Sequence, residues 1–235
     1  MKIIAMLPTY QEAENLKLLI PKLLEIKDMA VLVVDDSSPD DTEKVIKKLI
    51  TKYPGKINFY KRKERGRATA GLFGFKKALE LKADVVVEMD ADLSHRPEDL
   101  KNMLKEIDKY DVVIGSRFVS GGKDLRGEVK RRILSQLSRK LYKTITGLKI
   151  NDVGSGFKCY QSKVIKKLLE TEYFSKAGTS ICLENNFKFI KFGFNAKEIP
   201  IEFIDRSYGY SKVTWKSFVE PIFIALKLVK TYGRI

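Results

Sequence analysis

Residues Val85 to Glu98 read VVVEMDADLSHRPE, three β-branched side chains followed almost at once by acid. Val85, Val86 and Val87 predict a strand buried on both faces of a sheet, and Asp90 and Asp92 fall where that strand must end. In an open α/β sheet, ligands gather beyond the carboxyl ends of the strands, so the D-A-D tip predicts a binding site. Two carboxylates one residue apart offer hard oxygen ligands suited to Mg²⁺ or Mn²⁺, leaving other coordination positions to water and substrate phosphates. A lone D-x-D also fits an acidic loop that caps the next helix. The flanking chain decides between the two.

Upstream, the apolar run Lys2 to Leu7 predicts a strand broken by Pro8, and Leu16, Leu19, Ile20, Leu23 and Leu24 have helical spacing. The rhythm repeats through a strand at Ala30 to Val34, turn chemistry at Asp35 to Asp40, and a helix through Val45, Ile46, Leu49 and Ile50. A strand at Ile57 to Tyr60 and a helix at Ala68 to Leu81 then lead into Val85. Downstream, Pro97 suits the first turn of a helix reaching about Asp108, and Asp111 to Gly115 predicts a fifth strand. Strands alternating with helices predict parallel βαβ units with helices on both faces, an α/β doubly wound fold. No G-x-G-x-x-G follows the first strand and no G-x-x-x-x-G-K-[ST] occurs, which disfavours a dinucleotide fold and excludes a P-loop.

Phosphate-binding groups are instead expected after the fifth strand. Arg117 follows Gly115-Ser116, and Arg126 to Lys143 hold seven Lys/Arg against a single Glu. A guanidinium fork suits phosphate oxygens. Val129, Ile133, Leu137 and Leu141, spaced by four, predict an amphipathic helix with a basic face, ended by Gly147. Gly154-Ser155-Gly156 predicts a turn into the apolar run Phe157 to Tyr160. Helices are expected at Val164 to Leu169 and Ile181 to Phe192, and a strand at Ala196 to Ile204. The loop Arg206 to Lys212 is placed to close over phosphates, and Thr214 to Ile235 predicts an amphipathic helix able to lie in a membrane interface or to pack on the protein.

The 235 residues carry 45 Lys+Arg against 30 Asp+Glu, a formal +15, which points to an anionic partner: a phosphorylated small molecule, an anionic membrane surface or nucleic acid. A hydrophobic share of 44% is that of a folded domain. Cys159 and Cys182 lack metal-ligand spacing and suit a reducing compartment. No signal-peptide core and no membrane-spanning run is visible. The single histidine, His95, excludes any site that needs two.

Six motifs then resemble, in order, the family 2 glycosyltransferases of GT-A fold. They are P-T-Y-Q-E at Pro8 to Glu12, V-D-D-S-S-P-D at Val34 to Asp40, M-D-A-D-L-S-H at Met89 to His95, G-S-R-F at Gly115 to Phe118, S-G-F at Ser155 to Phe157, and R-S-Y-G-Y-S-K at Arg206 to Lys212. Within that family, D-A-D-L-S-H, the K-R-R-I-L-S of Lys130 to Ser135 and the R-x-x-G-x-S-K ending look most like the dolichyl-phosphate mannose synthases. The resemblance implies inverting transfer of mannose from GDP-mannose to a polyprenyl (dolichyl) phosphate, by a GT-A catalytic domain over residues 1–213 with a membrane-interfacial helix at 214–235. It matches Pro8, Tyr10, Glu12, Val34 and Asp36 to nucleoside-holding positions, and Asp90, Ala91 and Asp92 to the segment meeting sugar diphosphate and metal. Arg117, Arg206 and Lys212 match donor and phosphate contacts, and Arg131 and Ser135 match residues near the acceptor phosphate. Ser94 stands where some relatives carry Gln and joins the donor-binding residues. The implied metal ligands are Asp90 and Asp92, the cofactor Mg²⁺ or Mn²⁺.

The implied catalytic set is Asp92, Arg117, Arg131, Ser135 and Arg206. The stretch Arg65-Gly66-Arg67-Ala68-Thr69-Ala70 departs from the K-G-L-G-x-A of many members. A cytoplasmic enzyme, peripheral on the endoplasmic reticulum or on an archaeal cell membrane and working at the membrane surface or with a small membrane-anchoring subunit, is the implied setting. UDP-glucose or another nucleotide sugar remains open as donor. A nucleic-acid binder living off the +15 charge is a third reading, though stacking aromatics, a zinc finger and a recognition helix set are lacking, so nucleic acid is not expected as a partner.

Overall fold

A computed structural model of the chain describes residues 1–127, 129–175, 180–205 and 216–235, those at 129–132 and 216–218 by backbone alone. The first half keeps the expected alternation: β1 Ile3–Thr9, α1 Ala13–Leu24, β2 Met29–Asp35, α2 Thr42–Lys52, β3 Ile57–Lys61, α3 Arg67–Glu80, β4 Val85–Glu88, α4 Pro97–Leu104 and β5 Val112–Ser116. Then follow β6 Lys123–Asp124, α5 Val129–Thr146, β7 Lys158–Gln161, α6 Ser162–Leu169, α7 Ile181–Lys191, β8 Ala196–Pro200, β9 Glu202–Phe203 and α8 Lys216–Tyr232. The main sheet has the order β3-β2-β1-β4-β7-β5-β8, and β6 pairs with β9 beside it.

Period-two alternation splits the sheet residues between two cores. Ile3, Ala5, Leu7, Val85 and Val87 face one core with Leu16, Val45 and Leu100 of α1, α2 and α4. Ile4, Met6 and Val86 face the other, with Phe75 of α3, Val164 of α6 and Phe189 of α7. Helices thus cover both faces, and β4 is buried on each as expected. Gly74 lets α3 lie close on β1, since a Cβ there would stand 2.6 Å from the Met6 side chain.

Two expectations, at Pro8 and over Ala196 to Ile204, need correction. Pro8 does not break β1, because the strand pairs with β2 through Pro8↔Val34 and on to Thr9. The β4 ladder stops at Met6↔Glu88, so beyond it that flank of β1 asks for no further N–H. The run Phe157 to Tyr160 supplies a strand, β7, lying antiparallel between β4 and β5 in an otherwise parallel sheet. The single strand expected over Ala196 to Ile204 is two. After Pro200 the Ile201 N–H turns to the Ser116 carbonyl while its own carbonyl accepts from Lys123, carrying the chain across to β6. Helix α8 packs on α5 and α7, burying Ile224, Ala225 and Leu228 and leaving Phe223 and Leu226 more than half exposed.

Candidate active site

The sheet order reverses between β1 and β4: the chain leaves β1 toward β2 and β3, then returns to the other side of β1. Ligands collect at such a switch point beyond the strand ends. There the loops after β1, β2, β4 and β5 converge with the loop that leads into antiparallel β7. Among the described residues, three of the five non-glycine residues with positive φ, Gln11 (60°), Ser37 (55°) and Leu93 (65°), sit in these loops. Each such conformation costs of order 1–3 kcal/mol and persists only where its surroundings hold it.

The loop after β4 shows what holds it. Asp92 Oδ1 accepts from the Ser94 N–H (3.1 Å) and the Ser94 hydroxyl (2.6 Å), closing a turn around Leu93. His95 closes the other side, its Nδ1 accepting the Asp90 backbone N–H at 3.0 Å. The ring is stacked on Phe157, centroids 4.9 Å apart, and lies 5.2 Å from Phe203. Burial pushes the His95 imidazole below its ordinary range, against the raising pull of Asp90 and Asp92, which keeps Nδ1 an acceptor. Ala91, Asp92 and Ser94 are buried, whereas the Asp90 side chain is 38% exposed at the edge. Among the described residues no cluster of three or more His, Cys, Asp or Glu could hold a metal alone. Two aspartates in a half-open loop nonetheless fit a hard dication that keeps much of its coordination for water and phosphate.

Beneath this loop lies a charged layer that motif reading missed. Arg67, at the start of α3, reaches Glu88 Oε1 at 3.0 Å and Asp90 Oδ1 at 3.4 Å. Burial works against the Arg67 charge, but Glu88 and then Asp90 more than compensate and raise its pKa. Glu88, fully buried, also accepts from the Tyr160 hydroxyl at 3.2 Å. Arg67 therefore stands under Asp90 at the very position where the sequence departs from the common family pattern. Lys158 of β7, fully buried, points its ammonium at the Ser155 carbonyl.

The nucleoside-side residues are close-knit. Asp36 receives Arg62 Nε and the Gly66 N–H, both at 2.8 Å, so it braces the loop after β3. Asp35 accepts from the Ser38 N–H (3.0 Å), and the Ser38 Oγ accepts the Gln11 N–H (2.8 Å). Glu12 accepts from Asn15, and the Tyr10 ring carries the Arg65 guanidinium 4.4 Å above it. Pro8 and Val34 lie side by side in the ladder.

Arg117, expected at the donor phosphates, is turned onto Asp152: Nε and Nη2 each donate at 2.7 Å, and its backbone N–H adds a third bond at 3.1 Å. Burial alone would raise the Asp152 carboxyl; the guanidinium outweighs it and holds the group below its ordinary range. Asp152 is anchored in turn by Glu198 of β8, which accepts its N–H at 2.8 Å. No local signal marks Asp152, because its partner stands 35 residues away. Arg131 falls in the first turn of α5 and Ser135 one turn further on, half-buried. Arg206 and Lys212 lie outside the described residues.

The model of the family described as Glycosyl transferase family 2 matches residues 5–169. The chain is 32% identical over 215 residues to an undecaprenyl-phosphate mannosyltransferase of Micrococcus luteus, covering 91% of this chain and 88% of that one. It is 33% identical over 223 residues to a polyprenol monophosphomannose synthase of Mycolicibacterium smegmatis, covering 94% and 84%. Among solved structures, a mannosyltransferase from Pyrobaculum calidifontis in complex with GDP-Man and Mn²⁺ shares the fold, with a TM-score of 0.62 at 16% identity over 98% of this chain and 73% of that one.

Proposed function

The chain belongs to glycosyl transferase family 2 and is a glycosyltransferase, and from that footing we propose that it moves mannose, with inversion, from GDP-mannose to the phosphate of a polyprenol. One observation carries the reading beyond the relatives' names: the acids around the aspartate loop are spent on structure. Glu12 is held by Asn15, Asp35 by Ser38, Asp36 by Arg62 and Gly66, and Asp152 by Arg117. The only histidine is buried and accepts from Asp90. An alcohol acceptor loses a proton as it attacks and needs a positioned base. A phosphate monoester, with a second pKa of about 6, is largely dianionic at neutral pH and needs none.

What this acceptor needs is positive charge. Two anions 4 Å apart repel by about 4 kcal/mol at an effective dielectric of 20. In this reading Arg131 and Ser135 meet the acceptor phosphate, Arg206 and Lys212 meet the donor diphosphate, and Arg117 positions the Asp152 loop between them. Pro8, Tyr10, Glu12, Val34 and Asp36 form the nucleoside wall, with Ala91 and Ser94 shaping the loop under the sugar. A Mg²⁺ or Mn²⁺ ion held by Asp90 and Asp92 would supply further charge to offset the diphosphate as it leaves. The lipid acceptor puts the reaction at a bilayer surface. Among the described residues no helix is long and apolar enough to cross a membrane.

The test is a donor screen against a labelled polyprenyl phosphate with GDP- and UDP-sugars. Lipid product from GDP-mannose is expected. Turnover with UDP-glucose and none with GDP-mannose would overturn the mannose assignment.

A further inference from the structure

The stretch of α5 from Ile133 to Thr144, the turn at Gly147 to Lys149 and Arg234 line a groove of about 720 Å³ that the transfer reading leaves unused. Five cations line it, Arg139, Lys140, Lys143, Lys149 and Arg234, and its lining holds no carboxylate and no aromatic ring. None of the five pairs with a described acid. Arg139 donates to the Asn151 carbonyl (3.1 Å), Lys143 to the Lys149 carbonyl (3.3 Å) and Arg234 to the Thr144 carbonyl (2.9 Å), all neutral oxygens. The Arg139 Nε is buried with no hydrogen-bond partner.

The C-terminal end of a helix carries about half a negative charge, which opposes anion binding. Here three of its last four carbonyls are already taken: Lys143 by the Gly147 N–H, Thr144 by Arg234, and Thr146 by the Ile235 N–H. Five whole positive charges therefore dominate. One wall is aliphatic and open to solvent, with Ile133 53% and Leu137 59% exposed. Cations beside exposed aliphatics match the boundary between anionic headgroups and acyl chains. A polynucleotide would call for stacking rings, which the groove lacks.

We infer that this groove seats the phosphate headgroup of an anionic bilayer phospholipid, with Ile133 and Leu137 entering the acyl boundary. The occupant is bulk membrane lipid and not the acceptor. Lys143 stands eight residues beyond Ser135, about 12 Å along the helix axis. Occupation of the groove would lay α5 on the membrane with its N-terminal turns, which hold Arg131 and Ser135, beside the emerging acceptor. That consequence rests on the transfer reading; the binding does not.

The test uses the full chain and vesicles containing neither donor nor polyprenyl phosphate. Sedimentation with phosphatidylglycerol–phosphatidylcholine vesicles is compared with phosphatidylcholine alone, for the natural chain and for Lys140→Gln/Lys149→Gln. Both lysines are exposed and neither side chain makes a described bond, so the fold is spared. Binding to the anionic vesicles alone is expected, with a loss of about thirtyfold in the variant at roughly 1 kcal/mol per basic residue. Transfer to a short, water-soluble polyprenyl phosphate should be unchanged. Equal vesicle binding by the variant would overturn the inference. So would displacement from vesicles by inorganic phosphate or an oligonucleotide at constant ionic strength, or loss of transfer in solution, which would assign the groove to a free anion, to nucleic acid or to the acceptor.

Discussion

The Asp90 backbone N–H donates to Nδ1 of His95 at 3.0 Å, so the lone imidazole sets the direction in which the first aspartate leaves β4. Phe157 and Phe203 hold the ring in place. Replacing His95 with Phe keeps the stacking and removes the acceptor, leaving a part-buried N–H without a partner at a cost of about 1–3 kcal/mol. His95→Phe is therefore expected to lower the melting temperature modestly and to weaken Mn²⁺-dependent GDP-mannose binding about tenfold. Calorimetric titration decides it; an unaltered donor affinity would reduce His95 to a packing residue.

Arg67 and Glu88 form a buried ion pair at 3.0 Å directly under the site. Removing the arginine leaves a fully buried carboxylate uncompensated, which typically costs 3–5 kcal/mol. Arg67→Met should thus destabilise the protein by about that amount in urea unfolding. Adding Glu88→Gln removes the orphan charge and should restore more than half of the loss, a coupling that a double-mutant cycle measures directly. Additive losses would mean that the two side chains act independently.

Asp152 gives a pH dependence with a definite sign. Arg117 holds its carboxyl below the ordinary range in the folded protein, so the pair stabilises the fold fully above the unfolded-state value near 3.9. That contribution is lost as pH falls through the lower, folded-state value. Asp152→Asn should cost about 3–5 kcal/mol at pH 7, because Arg117 is left buried without its partner. The variant should also show a shallower fall in stability below pH 4. Parallel stability curves for the two proteins across that range would contradict the pairing.

How much of this was readable beforehand follows from how far each interaction reaches. The tip of β4 is local information: three valines and two aspartates announce a buried strand and an acidic loop, and that loop lies at the switch point. Arg67, Asp152 and His95 bond across 23, 35 and 5 residues, the first two between different elements, and no spacing rule links such partners. Strand β7 escaped notice because Lys158 sits among its apolar residues, and a lysine reads as solvent-facing until Ser155 is found beside it. Helix α8 is apolar on more than one side. Sequence periodicity could not say that Ile224 and Leu228 face inward while Phe223 and Leu226 stay outside. The motif argument nonetheless reached the family, because its residues cluster at strand ends, where the topology forces them together.

Separating donor from acceptor binding needs two substitutions that spare the loop. Asp92→Ala would remove the charge proposed to face the metal and also the acceptor of both Ser94 bonds, so any loss would be ambiguous. Asp92→Asn keeps an oxygen for Ser94 and cancels the charge, and it should sharply reduce the Mn²⁺-dependent part of GDP-mannose affinity with little change in melting temperature. Arg131 lies one turn before Ser135 on α5, and Arg131→Ala should raise the KM for polyprenyl phosphate about tenfold or more while donor affinity holds, as expected for a lost charge-assisted contact to phosphate. Titration of each variant with GDP-mannose and Mn²⁺, followed by steady-state kinetics in the lipid acceptor, separates the two sites. Weakened donor binding in Arg131→Ala with an unchanged acceptor KM would move Arg131 to the donor side, and undiminished Mn²⁺-dependent affinity in Asp92→Asn would remove the metal from this loop.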